Sequence, residues 1–137
     1  MRNRMMSLAL TGTLLGGCAG PMAAGCGPGA TPGLVAEVVF GRNIGNSLGV
    51  TDADWSRFVD EEVTPRFPDG LTVLDAGGQW RDTGNGTIVR EPSKVLVVVL
   101  SDAARDRPRV AEIADAYKRR FDQQAVLTMT RPACVSF

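Results

Sequence analysis

The sequence predicts an α+β domain of the ferredoxin-like class: β-α-β-β-α-β, with an antiparallel four-stranded sheet in the order 4-1-3-2 and two helices on one face. Three observations point there. Two helix-period stretches alternate with four stretches rich in β-branched residues, and two such halves joined by right-handed crossovers give this sheet. The most apolar strand, ending in Val95-Leu96-Val97-Val98-Val99-Leu100, is the third, and the order makes it central. Pro132 falls in the fourth strand and Gly77-Gly78 in the second, which the order places at the two edges, where a missing donor or side chain is tolerated.

The first strand is expected over Leu34–Phe40. A glycine-spaced loop, Gly41 to Gly49, follows. Thr51 and Asp54 are spaced as a capping box, and Trp55, Phe58, Val59 and Val63 then fall on one helical face. Thr64-Pro65 should end that helix, because a residue before proline avoids helical geometry. Phe67-Pro68-Asp69-Gly70 is a turn, and Leu71–Trp80 the second strand. Residues 82–86, DTGNG, have hairpin composition, and a third strand is expected over Thr87–Leu100, covered on both faces at its apolar end. Asp106-Arg107-Pro108 reads as the opening of a second helix, with Val110, Ile113, Ala114, Tyr117 and Phe121 as its buried stripe. Lys118, Arg119 and Arg120 stand in its last turn, where cations suit the helix dipole. The last strand is expected over Ala125–Phe137.

The N-terminus reads as a targeting signal. Arg2 and Arg4 precede an apolar stretch from Met5 to about Leu15, too short for a bilayer anchor of roughly 20 residues but suited to a signal peptide. It ends in Leu15-Gly16-Gly17-Cys18, which resembles a bacterial lipobox whose cysteine is acylated and becomes the new N-terminus. The alternative is an ordinary signal cut near Ala23-Ala24-Gly25. On the first reading, 1–17 is the signal with lipobox, 18–33 is a flexible Gly/Ala/Pro tether and 34–137 is a single domain. Cys18 is then the lipidation site, and the protein is a membrane-anchored lipoprotein of the cell envelope; on the second it is soluble in the periplasm or secreted.

Composition narrows the chemistry. The 137 residues carry 15 basic and 15 acidic side chains and no histidine. No basic surplus calls for nucleic acid. Ser-His-Asp and Cys-His devices are excluded within one chain, and the commonest metal ligand is missing. Neither a metal site nor a cofactor is expected. The loop FGRNIGNSLGV lacks the spacing of a phosphate-binding loop. An exported compartment favours a disulfide between Cys26 and Cys134: in the 4-1-3-2 order the start of the first strand lies beside the end of the last, and Cys26 sits on a segment that can fold back.

The stretches FGR, VTPRFPDGLTVLDAGGQWR, EPSKVL, YKRRFDQQAVL and the terminal VSF together resemble the bacterial domain of unknown function family 3574, over nearly all of residues 37–137. The resemblance implies a small exported domain and carries no activity, substrate or cofactor. Pro92 stands where a residue able to pair in a strand would be expected.

The densest polar chemistry lies in residues 63–81. One reading is structural: Arg66 pairs with Asp75 or Glu91 and orders the strand ends. The other is a groove for a polar or anionic small ligand, lined by Arg42, Arg66, Asp75, Gln79, Arg81 and Arg90, with Trp80 as a stacking wall. The function expected from these features is a non-catalytic binding or interaction module of the cell envelope, held to the membrane by its N-terminal lipid and pairing with a second copy through the open sheet face. The alternative is a dimeric α+β barrel enzyme acting on a small polar substrate, with Asp75, Glu91, Tyr117 or an arginine doing acid-base work.

Overall fold

In a computed structural model, residues 25–137 are described; the signal, the lipobox and Cys18 lie outside them. The long strands are β1 (Thr31–Gly41), β4 (Thr72–Arg81), β5 (Ile88–Leu100) and β6 (Leu127–Val135), and two short ones, β2 (Asn43–Ile44) and β3 (Ser47–Leu48), form a separate hairpin. The main sheet runs β4-β5-β1-β6, antiparallel throughout. With β2 and β3 counted, the numbering departs from four plain strands; numbered over the long strands alone, the same sheet reads 4-1-3-2 from the β6 edge.

Helix α1 (Asp52–Phe58) opens on the reciprocal box expected: the Thr51 hydroxyl accepts from the Asp54 N–H, and the Asp54 carboxylate accepts from the Thr51 N–H. A π-helical turn, Val59–Val63, extends it. The wider turn brings Val63 under the sheet beside Phe58, both fully buried, while Val59 is left at the margin of the core. Helix α2 (Ala103–Phe121) starts earlier than its Asp-Arg-Pro stretch implied. The cap is Asp102, whose side chain accepts from the Ala104 and Arg105 N–H groups, and the Asp106 carboxylate reaches back to the Asp102 N–H. Pro108 therefore sits inside the second turn, where it forfeits one backbone bond.

Both helices cover the same side of the sheet. Ala36, Val38 and Phe40 of β1 and Leu96, Val98 and Leu100 of β5 meet Trp55 and Phe58 of α1 and Val110, Ile113, Tyr117 and Phe121 of α2. Most of the chain's few aromatic rings gather there. Tyr117 lies 4.7 Å from Phe40 and 4.8 Å from Phe121, centroid to centroid, in the edge and tilted geometries that aromatic quadrupoles favour. The Tyr117 hydroxyl donates to the Gly41 carbonyl at 2.8 Å, so this buried hydroxyl is satisfied.

Three further expectations are corrected. β1 begins at Thr31, so the end of the stretch read as tether belongs to the sheet: Thr31, Pro32 and Gly33 pair with Val135, Cys134 and Ala133. Cys26 and Cys134 are joined, with Cα atoms 5.5 Å apart, and pin that extension. The Gly41–Gly49 loop is mostly a hairpin, turned at Gly45 with φ +64°, a value an L side chain rarely adopts. And β5 is central but not covered on both faces. Leu96, Val98 and Leu100 face the helices, while Val95, Val97 and Val99 face away and stay half-buried, because both helices went to one side.

Pro92 does not break β5. It stands opposite Gly77 of β4, and its carbonyl accepts from the Arg42 N–H just past the end of β1. Beyond that point β4 and β5 continue alone as a two-stranded arm, closed by the turn 82–87, where the Asp82 carboxylate accepts from the Gly84 N–H.

Candidate functional site

The seven side chains read from the sequence do not line one groove. Arg42 is turned inward, 7% exposed, donating to the Val50 carbonyl and pairing with Asp52. Arg66 stands on the helical side, bound to Glu62 and Glu112 rather than to Asp75 or Glu91, because the turn after α1 directs it toward α2. Asp75 is held by Lys94 of β5. Gln79, Trp80, Arg81 and Arg90 are exposed on the arm; by strand alternation Trp80 faces the open side of the sheet and the other three the opposite side.

Arg42 and Lys94 are nearly buried cations that share the exposed Asp52 carboxylate, each at 3.1 Å from the same oxygen. The Lys94 hydrogen bond and the Arg42 charge hold Asp52 below the usual carboxylate range, and the Asp75 carboxylate raises Lys94 above its own. The cluster is fully paired and closes the sheet end against the N-terminus of α1. Lys94 was missed in the sequence because an isolated lysine at the start of an apolar run reads as an edge charge. Among the acid-base candidates, Tyr117 is pushed well above its ordinary value by burial, and Asp75 is tied to Lys94. Glu91 has no ion-pair partner among the described residues.

Two surfaces remain. The first is the open side of the sheet. Val35, Val39, Val95, Val97, Val99, Leu74, Leu127 and Met129 stand on it, and no helix of the described residues covers them. Leu74, Leu127 and Met129 are 52%, 57% and 44% exposed. The one central charged pair there, Glu37 with Arg131 at 2.8 Å, neutralises itself.

The second is a notch where β1 stops and the arm continues. Its cleft, of about 460 Å³, has Trp80, Val89 and Glu91 of the arm on one wall, and Asp122 and Gln124 after α2 on the other. Asn43 and Asn46 form its floor. The Gln123 side chain donates to the Asn43 carbonyl and Asn43 to the Arg90 carbonyl, so floor and walls are braced together. Glu91 lies flat on Gly41: an added Cβ there would come 2.7 Å from its carboxylate oxygen. Of this set the sequence singles out Trp80 as a stacking wall and Glu91 as an acid-base candidate; the others converge from segments far apart in the chain.

The fold and its notch define a small α+β domain with its helices on one side of the sheet. The chain belongs to the family described as "Protein of unknown function (DUF3574)", whose model matches residues 35–137. No curated protein matches by sequence. Among solved structures, a phage SAM lyase in complex with S-methyl-5'-thioadenosine is similar at a TM-score of 0.60 and 15% identity, over 85% of this chain and 96% of that one. The apo state of a phage SAM lyase is similar at 0.58 and 16%, over 77% and 90%. At these identities the likeness is one of fold.

Proposed function

We propose that the protein is a non-catalytic interaction module of the bacterial cell envelope, exported, tethered by a lipid on Cys18, and working as a pair whose two open sheet faces pack together. The apolar open face carries this reading. The third strand has the continuous apolar sequence of a strand buried on both sides, and the described residues bury only one. An uncovered apolar patch of this kind marks an interaction surface. Four strands about 4.8 Å apart and about eight residues long, at roughly 3.3 Å each, give a face of about 500 Å² in projection. Side-chain relief brings it toward the roughly 600–800 Å² per partner that a stable dimer needs. The self-paired Glu37 and Arg131 leave no net charge to repel an identical face. A second copy is therefore the occupant.

The tether rests on the sequence of residues 1–18. Of the groups named for the enzyme alternative, Asp75 is paired and Tyr117 is buried, while Glu91, Arg81 and Arg90 make no ion pair among the described residues and meet in no one cleft.

One preparation tests both parts. The full chain with Cys18→Ala should leave the membrane fraction, and the released protein should run as a dimer in light scattering. Adding Val97→Lys should give a folded monomer. A monomer before Val97 is changed would sink the pairing; membrane retention without Cys18 would sink the anchor.

A further inference from the structure

We propose that the notch between the arm and the end of α2 binds a small organic cation of the amine class. The site is defined by what lines it. Two carboxylates, Glu91 and Asp122, border the cleft, and no lysine or arginine does. Glu91 makes no ion pair among the described residues, in a domain where Asp52, Asp75 and Asp106 all do. Arg81 and Arg90, on the same arm, stand on its other side by strand alternation. The Glu91 carboxylate packs against Gly41 at the end of β1, which places the charge at the notch.

The opposite component is the Trp80 ring, 52% exposed on the same wall. An indole face beside a carboxylate is the arrangement that attracts an ammonium: the ring quadrupole and the negative charge both favour a cation. Val89 keeps part of that wall apolar, and the amides of Asn46 and Gln124 can accept from further N–H groups. A cleft of about 460 Å³ falls within the range of small-molecule sites. A neutral sugar could use the ring and the amides, but would leave two carboxylates without a counter-charge.

The inference gives a ligand class to the reading of a binding module and does not depend on the pairing; the sizing experiment and the titration below can fail separately.

The test is calorimetric titration of the purified full chain with spermidine and with choline, using glucose as the neutral probe. Tryptophan emission is followed in parallel. Trp55 is buried, so a ligand at the notch should quench Trp80 alone. Saturable binding of at least one of the two cations is expected, weakening as salt rises. Glu91→Gln, nearly the same shape against Gly41, should weaken it about tenfold or more, and Trp80→Leu should also weaken it. Asp122→Asn, which suits the left-handed backbone at that position, checks the far wall with a smaller loss. No saturable binding of either cation at millimolar concentration would overturn the proposal. So would unchanged affinity in a Glu91→Gln variant with normal melting, or glucose binding as tightly as the cations.

Discussion

Val97 and Val98 are neighbours in β5 and of the same residue type, yet their surroundings differ. Val98 lies in the buried core with the aromatic rings, while Val97 faces away from the helices on a side that no element of the described residues covers. The two faces of this sheet are written in nearly the same alphabet of Val, Leu and Ala. What distinguishes them is which side received Trp55, Phe58, Tyr117 and Phe121. The helical side holds the fold together; the open side is free to serve association.

The largest expected effect tests that division directly. Phe58→Ala removes a fully buried ring that contacts Phe40, Trp55, Tyr117 and Phe121. It should cost about 3–5 kcal/mol of stability in denaturant unfolding. Leu74→Ala, on the open face, should cost well under half of that in dilute protein and show its effect on association instead. Equal losses at the two positions would break the comparison.

The edge strand β6 gives the second. The bridge Cys26–Cys134 closes a separation of 108 residues and ties the start of β1 to the end of β6. Cys134→Ser should lower stability by about 2–5 kcal/mol. The loss should appear in hydrogen exchange first at Thr31–Gly33 and Ala133–Val135, which pair beside the bridge. Protection unchanged there would mean that the extension stands without the bridge.

The smallest concerns the helical side alone. Asp106 is buried, and the Arg105 guanidinium, with the Asp102 N–H, holds its carboxyl below the ordinary value of 3.8 against the opposing effect of burial. A depressed folded value means that the ionised form stabilises the fold at neutral pH. That contribution is present above about pH 4–5 and is lost as pH falls through the folded value. Asp106→Asn should cost about 1–3 kcal/mol at pH 7 and flatten the decline of melting temperature below pH 4. A decline as steep as in the unsubstituted protein would assign the acid sensitivity to other groups.

Local sequence carried much of the fold. Period-3.6 spacing placed Trp55, Phe58, Ile113, Tyr117 and Phe121 in the core, and Thr51 and Asp54 marked a cap that formed as written. These signals depend on residues close in sequence, so they survive without knowledge of the fold. Pro108 misled for the same local reason: proline favours a helix start, but the stronger cap was Asp102, four residues before Asp106, and its reciprocal bond is visible only once the turn exists. The candidate site was less legible. The arginines of residues 42–90 looked like a cluster on paper, but Arg42 turned inward to Asp52, the turn after α1 sent Arg66 to Glu62 and Glu112, and Arg81 and Arg90 stand out on the arm.

What the sequence by itself determined is the list of elements, the core stripes of the helices, the edge positions of Pro132 and Gly77-Gly78, and the lack of histidine chemistry. Only the tertiary structure decided which face of β5 stays bare, and that Glu91, Trp80 and Asp122 meet around one cleft. The reason is range: periodicity and capping act over a few residues, whereas the covered face and the notch depend on where helices and an outlying arm come to rest against strands distant in the chain.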